Sequence, residues 1–137
     1  MAGNKSKYLS DELLNWLKGT SVASAPANTY VALFTTLPAY DGTGGTEVSG
    51  GAYARVAVAS SGWAAISNGA NGDQTSNSAA VDFTTPSASW GTVLGFGLYD
   101  ASTAGNLLWF ADLTTSKTIN SGDTVSFAIG ALVVAED

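Results

Sequence analysis

The chain has 137 residues with 16 Gly, 3 Pro, no Cys and no His, and five basic against eleven acidic residues give a formal net charge of −6. That length suits one domain, which buries roughly 70% of its unfolded surface. The missing Cys and His exclude disulfides, thiolate nucleophiles, Ser-His-Asp triads and Cys- or His-ligated metals; five scattered cations cannot neutralise a run of phosphates, and no apolar stretch reaches the ~20 residues of a membrane span.

From the N-terminus, Met1 to Ser10 is polar and carries no apolar core of the kind a signal peptide needs. A short helix follows. Ser10 is its expected N-cap, Asp11 and Glu12 its acidic first turn, and Leu9 with Leu14 a hydrophobic staple. Lys18 closes the last turn and Gly19 supplies the left-handed residue that ends it. Leu13, Trp16 and Leu17 fall at i, i+3 and i+4, an apolar face on a helix too short to stand alone in water. It has to dock on the domain or on a neighbouring subunit. Residues 1–20 therefore read as an N-terminal arm and helix, and residues 21–137 as a single β-sandwich domain.

The period then changes from 3.6 to 2. Expected strands are Thr29 to Thr36, Tyr53 to Ala59, Trp63 to Ser67, Ala79 to Thr84, Val93 to Asp100, Leu107 to Leu113 and Thr124 to Ala135. In Val93 to Asp100, Leu94, Phe96 and Leu98 alternate with Gly95 and Gly97, and glycines there imply either close packing or a second chain across that face. Seven short strands separated by turn signals predict an all-β fold, an antiparallel β-sandwich of jelly-roll type with one short N-terminal helix. Leu37 to Gly51, with five glycines, and the polar Asn68 to Ser78 lack periodicity and read as long loops.

Candidate chemistry is thin. Asp82, Asp100 and Asp112 could converge as a glycosidase pair needs, but no spacing singles out two of them, and solvent-facing or turn-capping roles are expected. Calcium accepts carboxylate and carbonyl oxygens alone. Asp41 and Glu47 share one loop and Asn68, Asn71 and Asp73 the other, yet neither matches an EF-hand, and turn formation explains both. Gly42 to Thr46 lacks the lysine and following helix of a phosphate loop and reads as a connection. No catalytic, metal or cofactor residue is assigned, and no enzyme activity is expected. Arg55, the single arginine, with Tyr53 on the same face, is either an interface residue or a partner for one of the acids. Trp16, Trp63, Trp90 and Trp109 read as core or interface aromatics, with sugar stacking left open.

Several blocks carry a resemblance: LLNWLKGT at 13–20, ANTYVALFTT at 27–36, GTGGTEVSGGAYARV at 42–56, WGTVLGFGLYDA at 90–101, GNLLWFADLTTSKTINSGDT at 105–124 and AIGALVV at 128–134. In order and spacing the chain resembles a family of small tailed-bacteriophage virion proteins, labelled tail-fibre or capsid-decoration proteins. The resemblance implies a β-sandwich virion component, a homotrimer without catalytic residues, assembled in the host cytoplasm. The small size favours a decoration (cement) protein that bridges the major capsid protein or other virion proteins; the alternative is a tail-fibre or spike module that recognises the host. Neither nucleic acid nor membrane is an expected partner.

Ala, Gly, Ser and Thr make up about half of the chain, so the surface is poor in charge. Such a surface is expected to be covered by other copies or by a shell. Leu13, Trp16, Leu17, Glu47, Tyr53 and Arg55 are the expected interface residues, on the N-terminal segment 1–19 and the glycine-rich loop 42–51.

Overall fold

Asn28–Thr36, apolar on both sides, becomes the central strand of the molecule. The computed structural model describes residues 4–70 and 72–136. Its elements in chain order are β1 (Asn4–Lys5), α1 (Lys7–Leu17), β2 (Asn28–Thr36), β3 (Thr46–Glu47), β4 (Val56–Ala59), a 3-10 turn (Ser60–Gly62), β5 (Ser67–Gly69), β6 (Gly72–Ser76), β7 (Val81–Asp82), β8 (Gly91–Tyr99), β9 (Leu107–Ile119), β10 (Ser126–Phe127) and β11 (Val133–Glu136). The main sheet runs β1-β9-β8-β2-β3 with β4 also on β2; a β11-β6-β5 sheet and a β10-β7 ribbon complete an antiparallel β-sandwich.

Val31, Leu33, Val93, Phe96, Leu98 and Leu132 are among the most deeply buried apolar side chains of the core. Tyr53, Phe83, Trp90, Phe96 and Phe127 pack beside them as a chain of aromatic pairs, the closest being Tyr53 against Trp90 edge-on at 5.3 Å. The edge-to-face contacts suit ring quadrupoles and add to the area term. Asn77, fully buried, joins the layers. Its amide nitrogen donates to the Ala79 and Ala128 carbonyls, and its oxygen accepts from Leu132 N–H, each at 2.9 Å.

The helix departs from expectation at its start. Ser6, not Ser10, is the N-cap: its Oγ accepts from Leu9 N–H at 3.3 Å and donates to the Leu107 carbonyl. One buried hydroxyl thus caps α1 and ties it to β9, and that tertiary bond outweighs the local preference for Ser10. Ser10 instead donates back to the Ser6 carbonyl at 2.9 Å from inside the helix. Leu9 is helical, so the Leu9–Leu14 staple does not form. Asp11 and Glu12 lie beyond the first turn; Asp11 pairs with Lys7, and Glu12 accepts from Ala23 N–H at 2.6 Å. At the C-terminus Gly19 follows the helix at φ +71° as expected, while Lys18 is the C-cap just past the last turn, which ends at Leu17.

Other boundaries shift for reasons of pairing. Asn68 to Ser78 is no open loop, because β5 and β6 form a hairpin with Gly69 opposite Gly72, and β6 pairs along β11. Two Asn-Gly dipeptides, Asn68-Gly69 and Asn71-Gly72, carry that hairpin signal. Trp63 forms only an isolated bridge to Asn77. The last expected strand splits into β10 and β11 around a turn with Gly130 at φ +79°. In β8 the register shifts between Val93 and Gly95, which leaves Leu94 exposed while Val93, Phe96 and Leu98 are buried. Leu94 therefore does not share their face. At Gly95 and Gly97 the chain packs on itself: a Cβ on Gly95 would lie 2.5 Å from the Ala111 carbonyl oxygen and from Leu37, and one on Gly97 2.8 Å from the Phe34 ring.

Candidate functional site

Two groups of residues stand out, one polar and inward, the other apolar and outward. The polar group is built where β3, the segment leading into β4 and the β8–β9 turn meet. Residues 53–55 leave the expected strand to reach it. Arg55 Nε and Nη2 donate to the two Glu47 carboxylate oxygens at 2.9 and 2.8 Å. Arg55 Nη1 donates to the Ala101 and Ala104 carbonyls at 2.9 and 2.8 Å, and its guanidinium carbon lies 3.7 Å from the centre of the Tyr99 ring. Ala104 at φ +51° and Gly105 at φ +77° belong to the turn that presents those carbonyls.

Tyr53 completes the cluster, donating from Oη to Glu47 at 2.7 Å and accepting from Leu33 N–H at 3.0 Å. Burial raises the Tyr53 phenol well above its ordinary range, and Glu47 adds to the effect. Burial alone would weaken the Arg55 charge, but the hydrogen bond and proximity to Glu47 outweigh it, so its pKa is raised. A fork-shaped cation held by a carboxylate, two carbonyls and a ring is a clamp between loops. Glu47, Tyr53 and Arg55 thus spend their polar groups within the chain, and the Arg55 side chain is only 7% exposed.

The apolar group is on α1, which has no buried residue. Leu13, Leu14, Trp16 and Leu17 are 48%, 58%, 72% and 76% exposed. Leu13 and Trp16 form one wall of a groove of about 510 Å³ whose other side holds Val22, Pro26 and Trp109. A second groove of about 360 Å³ lies between Trp63, Ile66, Val134 and Trp109, and Pro26, Thr29 and Trp109 line both. The Trp109 indole N–H is buried without a hydrogen-bond partner among the described residues. Trp63, by contrast, donates to Thr29 Oγ1 at 3.0 Å, and Trp90 donates to the Gly51 carbonyl at 2.9 Å inside the core. The grooves are lined mainly by apolar carbon, with Glu12 and Asp100 at one and Asp73 and Glu136 at the other, a surface suited to docking.

The remaining candidates are turn-formers. Asp41 accepts from the Thr43 hydroxyl and backbone N–H at 2.6 and 3.0 Å, contacts that lower its pKa. Asp100 accepts from Asn106 N–H and Nδ2, closing the β8–β9 turn, and Asp82 accepts from the Ser126 hydroxyl between β7 and β10. Asp112 stands exposed on β9, on a different element from both. Asn68 and Asp73 face each other across the β5–β6 hairpin, and Asn71 lies outside the described residues. The stretch Gly42 to Thr46 turns back on itself, with Gly45 at φ +72° and room for no side chain against the Pro38 backbone.

The protein-family model described as "Podophage GP4 fiber I protein gp80" matches residues 4–135. No curated protein matches the chain.

Proposed function

The chain belongs to the family of the podophage GP4 fiber I protein gp80, a family of phage virion structural proteins, and from that premise we propose that it is a non-catalytic building block of a tail fibre. The observation that carries this reading is the unpartnered face of α1, where Leu13, Leu14, Trp16 and Leu17 are all more than two-fifths exposed. So much contiguous apolar surface marks an assembly site. Its partners on this reading are other copies of the chain and other virion proteins, with three copies the expected stoichiometry. The Glu47–Arg55 clamp serves the same role indirectly, because it fixes the loops of a domain that has few charges to spare.

A second reading, decoration of the head, is favoured by the small-residue, charge-poor composition, which suits a surface laid flat against a shell. Gold-labelled antibody against the protein on intact virions separates the two. Label on tail fibres is the expected result. Label distributed over the head lattice would replace the fibre assignment with the decoration one.

A further inference from the structure

A third cleft, which shares no lining residue with the two apolar grooves, lies beside β9. Between Asp112, which pairs with Gly95, and Lys117, which pairs with Val93, β9 carries four residues opposite the single Leu94. Leu113, Thr114, Thr115 and Ser116 therefore arch away from β8, and bulges of this kind re-aim side chains. Together with the segment entering β10, the arch frames a cleft of about 690 Å³. That volume falls within the range of small-ligand sites.

The floor of the cleft is apolar, formed by the partly exposed side chains of Leu113, Val125 and Phe127 over the buried Val93 and Ile119. Its rim is hydroxylic. Thr114 and Thr115 stand on one side and Thr124 on the other, all exposed, and none of their hydroxyls is engaged by another described residue. Lys117 and Asp123 add one charge of each sign, and Lys117 makes no ion pair among the described residues. An apolar floor receives the C–H face of a pyranose ring, while hydroxyls and a compact ammonium answer its ring hydroxyls. One lysine opposite an aspartate, on a chain of net charge −6, disfavours phosphorylated ligands.

We propose that this cleft is a saccharide-binding site, an inference that rests on the fibre assignment above. Amide chemical-shift mapping of the full chain tests it, with a panel of soluble hexose, N-acetylhexosamine and uronic-acid oligosaccharides as probes. At least one member is expected to give saturable shifts confined to residues 113–118 and 123–127. Thr124→Trp, which fills the cleft from an exposed position, is expected to weaken that binding at least tenfold; Thr115→Val, a smaller change, weakens it severalfold and covers the case in which the tryptophan disturbs folding. The proposal is overturned if no panel member moves these amides, if the shifts map instead to the Trp63–Trp109 groove, or if well-folded variants bind as the parent does. Fibre labelling on virions with no sugar binding would sink the site alone. Head labelling with sugar bound in the cleft would sink the fibre reading and leave the site standing.

Discussion

Tyr53 shows how much of this fold depends on single polar atoms. Its hydroxyl satisfies Leu33 N–H on the central strand and Glu47 on β3. Tyr53→Phe leaves a main-chain donor of β2 without its partner and is expected to cost about 1–3 kcal/mol in urea unfolding at pH 7. Because the folded phenol titrates above its ordinary value near 10, the stability it contributes is complete below that pH. It is lost as the pH rises through the folded value. The parent is therefore expected to lose stability steeply above about pH 10, and Tyr53→Phe to show a shallower decline over the same range. Equal alkaline slopes for the two proteins would show that Tyr53 does not carry the effect. The sequence displays Arg55 and Tyr53 as neighbours, which is why they stand out together. It hides that Glu47, eight residues from Arg55, closes the clamp, because that pairing depends on β3 lying against β2. Nor does it reveal Asn77, an ordinary polar residue in a polar stretch whose amide is satisfied by the nearby Ala79 carbonyl together with a carbonyl and an N–H brought in from 51 and 55 residues away.

At the scale of elements, strand cores are legible and their ends are not. Asn28–Thr36 and Gly91–Tyr99 agree with the expected strands to within two residues, because their apolar pattern is enforced by burial. The hairpin of β5 and β6 escapes periodicity because its strands are polar and contain no fully buried residue; only the Asn-Gly dipeptides betray it. The helix start escapes because its cap is chosen by β9. Ser6→Ala is expected to cost about 1–2 kcal/mol, since it removes the cap and also the bond to Leu107. Ser10→Ala, a loss of about 0.5 kcal/mol or less, is the control, and thermal melts of the two proteins reverse the ranking expected from sequence. The paired glycines of β8 rank in the same way. Gly95→Ala pushes a methyl into the rigid Ala111 carbonyl and Gly97→Ala into a ring edge that can tilt, so Gly95→Ala is expected to cost more, both within about 1–3 kcal/mol.

For the molecule as a whole, the question is what covers the face of α1. Leu13, Leu14, Trp16 and Leu17 with Val22 expose apolar side chain on the order of 600 Å², near the ~800 Å² that each partner contributes to a standard interface. An isolated molecule would hold this surface in water at considerable free-energy cost, since each square ångström removed from water returns about 25 cal/mol. Leu17 is 76% exposed and holds nothing in the core, so Leu17→Asp is expected to leave folding within about 0.5 kcal/mol of the parent. The same change puts a carboxylate into any contact made by this face and should convert an assembled protein to monomer in native mass measurements. Glu47→Gln, at the inward clamp, should lower stability while leaving the number of copies unchanged. Salt supplies the opposing test. Each copy carries a net charge of −6, so association driven by apolar burial works against mutual repulsion, and added salt screens the repulsion without weakening the burial. Assembly is therefore expected to tighten as ionic strength rises. Dissociation by salt would mean that ion pairs hold the copies together, and Leu17→Asp assembling like the parent would mean that α1 does not face the partner at all.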